Sequence, residues 1–216
     1  MKNSLMNKIV IVDYGLGNIR SIKHKLEKYN YTVSLSNKAN EIESAGLLIL
    51  PGVGNFKVGM ENIKNLDLIK CLNNAVLKKK KPIIGICLGM QLMTSFSEEG
   101  DCAGLNWINA RTKKFFFEDS KLKIPNVGWR TNEFLKPNYY FNQIPKDKYF
   151  YFTHSYYVEC KEKEDVIAQS YYGHKFTSIF QKDNIFGVQF HPEKSHLNGF
   201  RLLLNFIEKS LWYEKE

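Results

Sequence analysis

Ile83-Ile84-Gly85-Ile86-Cys87-Leu88-Gly89-Met90 is the stretch that decides the fold. An apolar run ends in a cysteine flanked by glycines, and a helix-like segment from Met90 to Phe96 follows. A sharp strand-to-helix turn of this kind lifts a side chain clear of a sheet, and the glycines permit the tight backbone approach. The thiol then sits at a helix N-terminus, where the dipole and free N–H groups favour negative charge. A buried cysteine among apolar residues more often serves as a small hydrophobe. The paired glycines after a strand argue for a nucleophile instead.

Outward from this turn, the first half of the chain alternates strand and helix signals. Ile9 to Val12 reads as a buried strand. Asn18 opens a helix with Ile19, Ile22, Leu26 and Tyr29 on one face. Tyr31 to Leu35 and Leu47 to Leu50 read as strands, the latter stopped by Pro51-Gly52. Leu66 to Lys80 reads as one helix, and Ile83 to Ile86 as the strand feeding the cysteine. Strands separated by helices imply a parallel sheet covered on both faces.

After Gly104 the pattern changes to short β-like runs: 115–117, 149–153, 156–160, 166–169, 176–181 and 185–190. Leu197 to Leu211 closes the chain as an amphipathic helix. The expected fold class is α/β: a single domain over 1–216, with a central, mostly parallel sheet flanked by helices and an antiparallel β extension.

The 216 residues carry a formal charge of +9, with 44% hydrophobic and 25% charged residues. The lysines are spread along the chain. The one dense run, Lys78 to Lys81, ends a helix just before Pro82, where cations complement the dipole. No nucleic-acid motif accompanies them, so a solvated surface, with room for a patch that docks an acidic partner, is expected. The apolar run at Ile9 is wrongly flanked for a signal peptide, and no stretch approaches about 18 apolar residues. A cytoplasmic protein with no membrane association is expected. Cys71, Cys87, Cys102 and Cys160 show neither metal-ligand spacing nor a disulfide framework, so no metal and no cofactor are called for.

Three further segments carry chemistry. In Gln189-Phe190-His191-Pro192-Glu193 the histidine ends a strand, at the edge where parallel sheets place their sites. His191 would take the Cys87 proton, and Glu193 would hold the imidazole tautomer and stabilise its charged form. Pro51-Gly52-Val53-Gly54 can present N–H groups to a developing oxyanion, with the N–H of Leu88 as second donor. Tyr151 to Tyr157 alternates aromatic and polar residues and reads equally as a packed strand.

Together these segments resemble the class I (triad) glutamine amidotransferases. More narrowly, residues 12–19 (Val-Asp-Tyr-Gly-Leu-Gly-Asn-Ile), 51–56 (Pro-Gly-Val-Gly-Asn-Phe), Gly128-Trp129 and His154-Ser155-Tyr156 are similar to the HisH family, the glutaminase subunit of imidazole glycerol phosphate synthase. The resemblance spans nearly the whole chain, in order. It implies a catalytic Cys87, His191 and Glu193 and an oxyanion hole at Val53, Gly54 and Leu88. Gly52, Gly54, Gln91, Glu99, Ser155 and Tyr156 would hold L-glutamine. It also implies a heterodimer with a (β/α)₈-barrel cyclase that receives ammonia for histidine biosynthesis. Asn18, Trp129, Arg130 and Tyr151 would lie at that interface.

One loop departs from the family. Where Pro-His-Met-Gly-Trp-Asn is usual, this chain has Pro125-Asn126-Val127-Gly128-Trp129-Arg130. The triad is untouched, so the departure bears on the partner. An alternative is a paralogue that supplies ammonia to a sugar-modifying amidotransferase for surface polysaccharide. A freestanding cysteine hydrolase would need no partner loop, and a binding protein would need no triad.

Overall fold

The computed structural model describes residues 8–118, 121–137, 139–145 and 148–212. β1 (Ile9–Val12) is buried throughout, and its alternation sorts the rest of the molecule. Ile9 and Ile11 point into one core with Ile22, Leu26, Leu203 and Ile207. Val10 and Val12 point into the other with Ile42, Ile63, Leu72 and Leu92. A strand with apolar residues on both faces needs cover on both sides. α1 (Ile19–Glu27) and the closing helix supply one layer, and the remaining helices the other.

Next come β2 (Val33–Ser36), α2 (Ala39–Ser44), β3 (Leu47–Gly52), α3 (Phe56–Asn65), α4 (Leu68–Asn73) with a π turn over Asn74–Lys78, β4 (Ile83–Cys87) and α5 (Leu88–Leu92). β5 (Thr94–Ser97), β6 (Cys102–Ala103), β7 (Ile108–Lys114), β8 (Asn126–Thr131), β9 (Glu133–Phe134), β10 (Tyr149–His154), β11 (Tyr156–Cys160), β12 (Val166–Tyr172), β13 (His174–Lys182) and β14 (Ile185–Val188) lead to α6 (His196–Trp212). The twelve-stranded sheet runs β2-β1-β3-β4-β14-β13-β11-β7-β5-β6, with β12 and β9 branching from β13. Its first five strands are parallel. From β13 onward most pairings are antiparallel, the expected extension. β8 and β10 form a separate ribbon. Among the described residues, no helix is long and apolar enough to cross a membrane.

Several expected boundaries move. Pro51-Gly52 does not stop β3: Pro51 pairs with Ile86 and Gly52 with Cys87. β1 has already run out at Ile49, so the missing proline N–H breaks no ladder there. The single helix over 66–80 begins instead at Leu68, because Asp67 is left-handed (φ 53°) and closes the unpredicted α3. The helix expected over 90–96 starts earlier and ends at Leu92. Thr94 bonds its hydroxyl to the Gln91 carbonyl at 2.8 Å and enters β5. The strand expected at Phe115 to Phe117 lies at 108–114, and Phe115 is buried among Phe176, Tyr157 and Tyr172. Tyr29 falls beyond α1, half exposed, against Phe200. In the lysine run, Lys79 and Lys80 meet Glu43 (2.7 Å) and Asp183 (3.4 Å), exposed pairs that add little.

The turn at Cys87 depends on close approach. A Cβ on Gly89 would sit 1.7 Å from the Leu50 carbonyl oxygen, so α5 can lie directly on β3 only with glycine there. Gly89→Ala is therefore expected to cost about 3 kcal/mol or more through forced backbone displacement. Val58→Ala, on the exposed side of α3, should stay within about 0.5 kcal/mol. Urea unfolding of the two variants checks this; equal midpoints would refute it.

Candidate active site

β1, β3, β4 and β14 all end at one edge of the sheet, where open α/β sheets bind their ligands. Cys87 is the last residue of β4 and turns the chain with φ 53° and ψ −110°, a strained conformation for a residue with a side chain. Its sulfur reaches the Thr153 carbonyl at 3.9 Å and accepts from Gln189 Nε2 at 3.8 Å.

β14 delivers the second group. Beyond Val188, the His191 N–H bonds the Tyr151 carbonyl at 2.9 Å. Ser195 ties the same region twice: its hydroxyl donates to the His191 carbonyl (2.6 Å) and accepts from the Tyr151 N–H (2.9 Å). Pro192 turns the chain, so His191 Nδ1 and Glu193 Oε1 lie 3.0 Å apart, both buried. Lys25 donates to the Glu193 carbonyl from α1. His191 Nε2 has no well-formed hydrogen bond, and the group it interacts with is Cys87. Burial opposes charging this imidazole. Interaction with the Cys87 sulfur and the Glu193 carboxylate outweighs it and raises its pKa to about 10. The structure thus brings the sulfur, imidazole and carboxylate within mutual influence.

A cavity of about 280 Å³ opens over the sulfur. Val53, Gly54, Leu88, Gln91, Glu99, Ser155 and Tyr156 line it with Cys87, as do Pro125, Thr153 and His154. Its size is at the small end for small-molecule sites, roughly 300–1,000 Å³. Gly52 is not on the wall. It lies beneath, facing the Tyr14 hydroxyl, which a Cβ would approach to 2.2 Å. Glu99 does two things. It lines the cavity and accepts from the Phe56 N–H at 2.7 Å, capping α3 beside Asn55, whose side chain accepts from Val58 N–H. Burial raises the Glu99 pKa, partly offset by hydrogen bonds from the Phe56 N–H and the Asn55 side chain.

The expected interface residues divide. Trp129 and Tyr151 pair across the β8–β10 ribbon, ring centroids 5.6 Å apart, with Trp129 stacked on His196 at 4.7 Å and 40% exposed. Asn18 lies at the start of α1, on the loop that leaves β1 at the same edge. Arg130 lies on the opposite face of β8 from Trp129, half-buried with its guanidinium over Tyr172. Gln189, His154 and Asn126 were given no role by the sequence. Gln189 bridges Cys87 and Gln91, and its only signal was its place two residues before His191. His154 is buried, and desolvation takes its pKa down to about 3. Among the described residues, no three His, Cys, Asp or Glu side chains gather as a metal site.

The glutamine amidotransferase class-I family matches residues 10–209. The imidazole glycerol phosphate synthase subunit HisH 2 of Methanococcus maripaludis is 47% identical over 202 residues, 94% of this chain and all of that one. HisH of Leptospira interrogans is 42% identical, over 92% of this chain and 98% of its own length. HisH 1 of Campylobacter jejuni is 46% identical, also over 92% and 98%. Among solved structures, a glutamine amidotransferase superposes with a TM-score of 0.71 at 15% identity, over 94% of this chain and 98% of the other. A GMP synthase subunit from Thermoplasma acidophilum gives 0.68 at 18%, over 96% of each. The structural matches speak for the fold alone.

In Cys87→Ala the sulfur whose interaction favours the imidazolium is gone while burial remains. The His191 pKa is therefore expected to fall from about 10 toward or below the ordinary histidine value. Imidazole titration by NMR in the two proteins reads this out; an unmoved titration would exclude the sulfur as its cause.

Proposed function

The chain belongs to the class-I glutamine amidotransferases and within them to the HisH family, and from that premise we propose that it hydrolyses L-glutamine as the ammonia-producing subunit of an imidazole glycerol phosphate synthase. The observation that carries the reading is a strained cysteine under a cavity of amino-acid size, with the His191–Glu193 pair at 3.0 Å behind it.

Cys87 Sγ attacks the side-chain amide carbon of glutamine, and His191 takes the thiol proton. The oxyanion is held by the N–H of Leu88, first in α5 and so without an intrahelical acceptor, and by an N–H of the Val53-Gly54 segment. As the C–N bond breaks, His191 returns the proton to the leaving nitrogen and ammonia departs, leaving a γ-glutamyl thioester. A water deprotonated by His191 attacks the thioester, glutamate leaves, and the sulfur is restored. Glu193 fixes the imidazole tautomer and balances its charge. Gln91, Glu99, Ser155 and Tyr156 surround the α-amino and carboxylate end of the substrate, and Gly52, off the wall, lets Tyr14 and Leu88 pack close.

The relatives' names are those of synthase subunits, so a cyclase partner is part of the proposal. We take it to be a (β/α)₈ barrel in a heterodimer, docked over Asn18, Trp129 and Tyr151 and receiving ammonia for histidine biosynthesis in the cytoplasm. The whole chain serves as one glutaminase domain, without cofactor. The same names do not favour a sugar-modifying acceptor.

Glutamate release, measured with and without the cyclase loaded with its ligand, tests this. Activity should rise strongly with the partner. Cys87→Ala should lose about a thousandfold or more, and Glu193→Gln about a hundredfold in kcat at similar KM. A Cys87→Ala protein turning over at the wild-type rate refutes the chemistry; equal turnover without the partner refutes the dependence on the cyclase.

A further inference from the structure

The alternation of β8 turns Asn126, Gly128 and Arg130 to its inner face. Arg130 Nε donates to Asn126 Oδ1 at 2.6 Å. A guanidinium can only donate, so the oxygen of the Asn126 amide must face it and the NH₂ must point the other way. That NH₂ meets His154 Nε2 at 3.0 Å, which makes Nε2 an acceptor and puts the imidazole proton on Nδ1. Nδ1 in turn donates to the Tyr156 carbonyl at 2.7 Å.

The same carbonyl accepts Gln91 Nε2 at 2.9 Å, while the other Gln91 amide hydrogen goes to Gln189 Oε1 at 3.1 Å. With both hydrogens used inside the protein, Gln91 offers its oxygen to the cavity. Gln189 Nε2 is left to face the Cys87 sulfur. The two ends of the chain agree: Arg130 turns the Asn126 oxygen toward itself, and the Tyr156 carbonyl, which can only accept, takes one hydrogen from His154 Nδ1 and one from Gln91. Arg130 is not part of the cavity wall.

We propose that Arg130 is a positioning residue for glutamine recognition: through Asn126 it keeps His154 donating to the Tyr156 carbonyl and so holds in place the carbonyl on which Gln91 is anchored. The proposal rests on the glutaminase reading above. Without Arg130 the Asn126 amide is free to turn over. Its oxygen would then call for a proton on His154 Nε2, and the Tyr156 carbonyl would lose one of its two donors, leaving Gln91 alone on it. Burial, the largest influence holding His154 neutral, leaves only one proton to serve both nitrogens.

Steady-state kinetics of the full chain with its cyclase, together with ¹⁵N NMR of the His154 ring, form the test. In the wild type, His154 is the Nδ1–H tautomer. Arg130→Ala should raise KM for glutamine about tenfold, leave kcat within about threefold, and mix the tautomers. Arg130→Lys, which keeps a donor, should return KM to within about threefold of wild type. Asn126→Asp keeps an acceptor for the guanidinium but cannot donate to His154; it should put a proton on Nε2 and raise KM. If Arg130→Ala fails to fold by circular dichroism, Asn126→Asp carries the test alone. An unchanged KM in either folded variant, or an Nε2–H tautomer in the wild type, overturns the proposal. A wild-type complex that releases no glutamate overturns the glutaminase reading instead, and the NMR result then still judges the chain of bonds.

Discussion

The parallel pairing of β14 with β4 is the constraint on which the site depends. Ile86 lies opposite Val188, so both strands end at the same level. Side chains 102 positions apart in sequence, Cys87 and Gln189, meet at 3.8 Å as a result. A one-residue slip would turn the side chains after β14 to the other face of the sheet. Register is held by two-sided burial: Ile84, Ile86 and Val188 join one core while Ile83 and Ile185 join the other. A slip in either direction would expose or misplace this whole set. Apolar packing, at roughly 1.5–3 kcal/mol per buried side chain, therefore also sets the chemical geometry.

Around that meeting point the polar groups form two tiers. The inner tier is Cys87, His191 and Glu193, backed by Ser195 and Lys25. The outer tier is neutral at its centre and runs through Gln189, Gln91 and His154. Buried neutral groups of this kind cost folding energy unless they are satisfied, and here each has a defined partner. The inner tier leaves His191 Nε2 and Glu193 Oε2 without well-formed hydrogen bonds. Unsatisfied atoms beside a strained cysteine mark the place where the molecule gives up stability for reactivity.

Much of this was legible in the chain. The Gly-x-Cys-x-Gly turn announces itself because steric demand leaves glycine no substitute, and Gly89 against the Leu50 carbonyl shows why. β1, β4 and β14 read as strands because both of their faces are apolar. The less legible parts have physical causes. Helix α3 buries only Phe56, Gly59 and Ile63, and a glycine that packs on Leu92 looks like a break when read in one dimension. α2 is six residues long with one buried side chain. Arg130 stands beside Trp129 in sequence, yet strand alternation sends the two to opposite faces, which only the pairing of β8 with β10 reveals.

Glu99 also limits how the rim of the cavity can move. The Val53-Gly54-Asn55 segment begins where Gly52 is locked in the β3–β4 ladder and ends where Phe56 is held by the Glu99 carboxylate at 2.7 Å. Three residues between two fixed anchors have no length with which to swing as a flap. Any rearrangement there must be a rotation of individual peptide planes, with Gly54 already at φ 110°. The Phe56 N–H occupies one Glu99 oxygen, Oε2, so the carboxylate keeps acceptor capacity for a cation in the chamber while still pinning the rim.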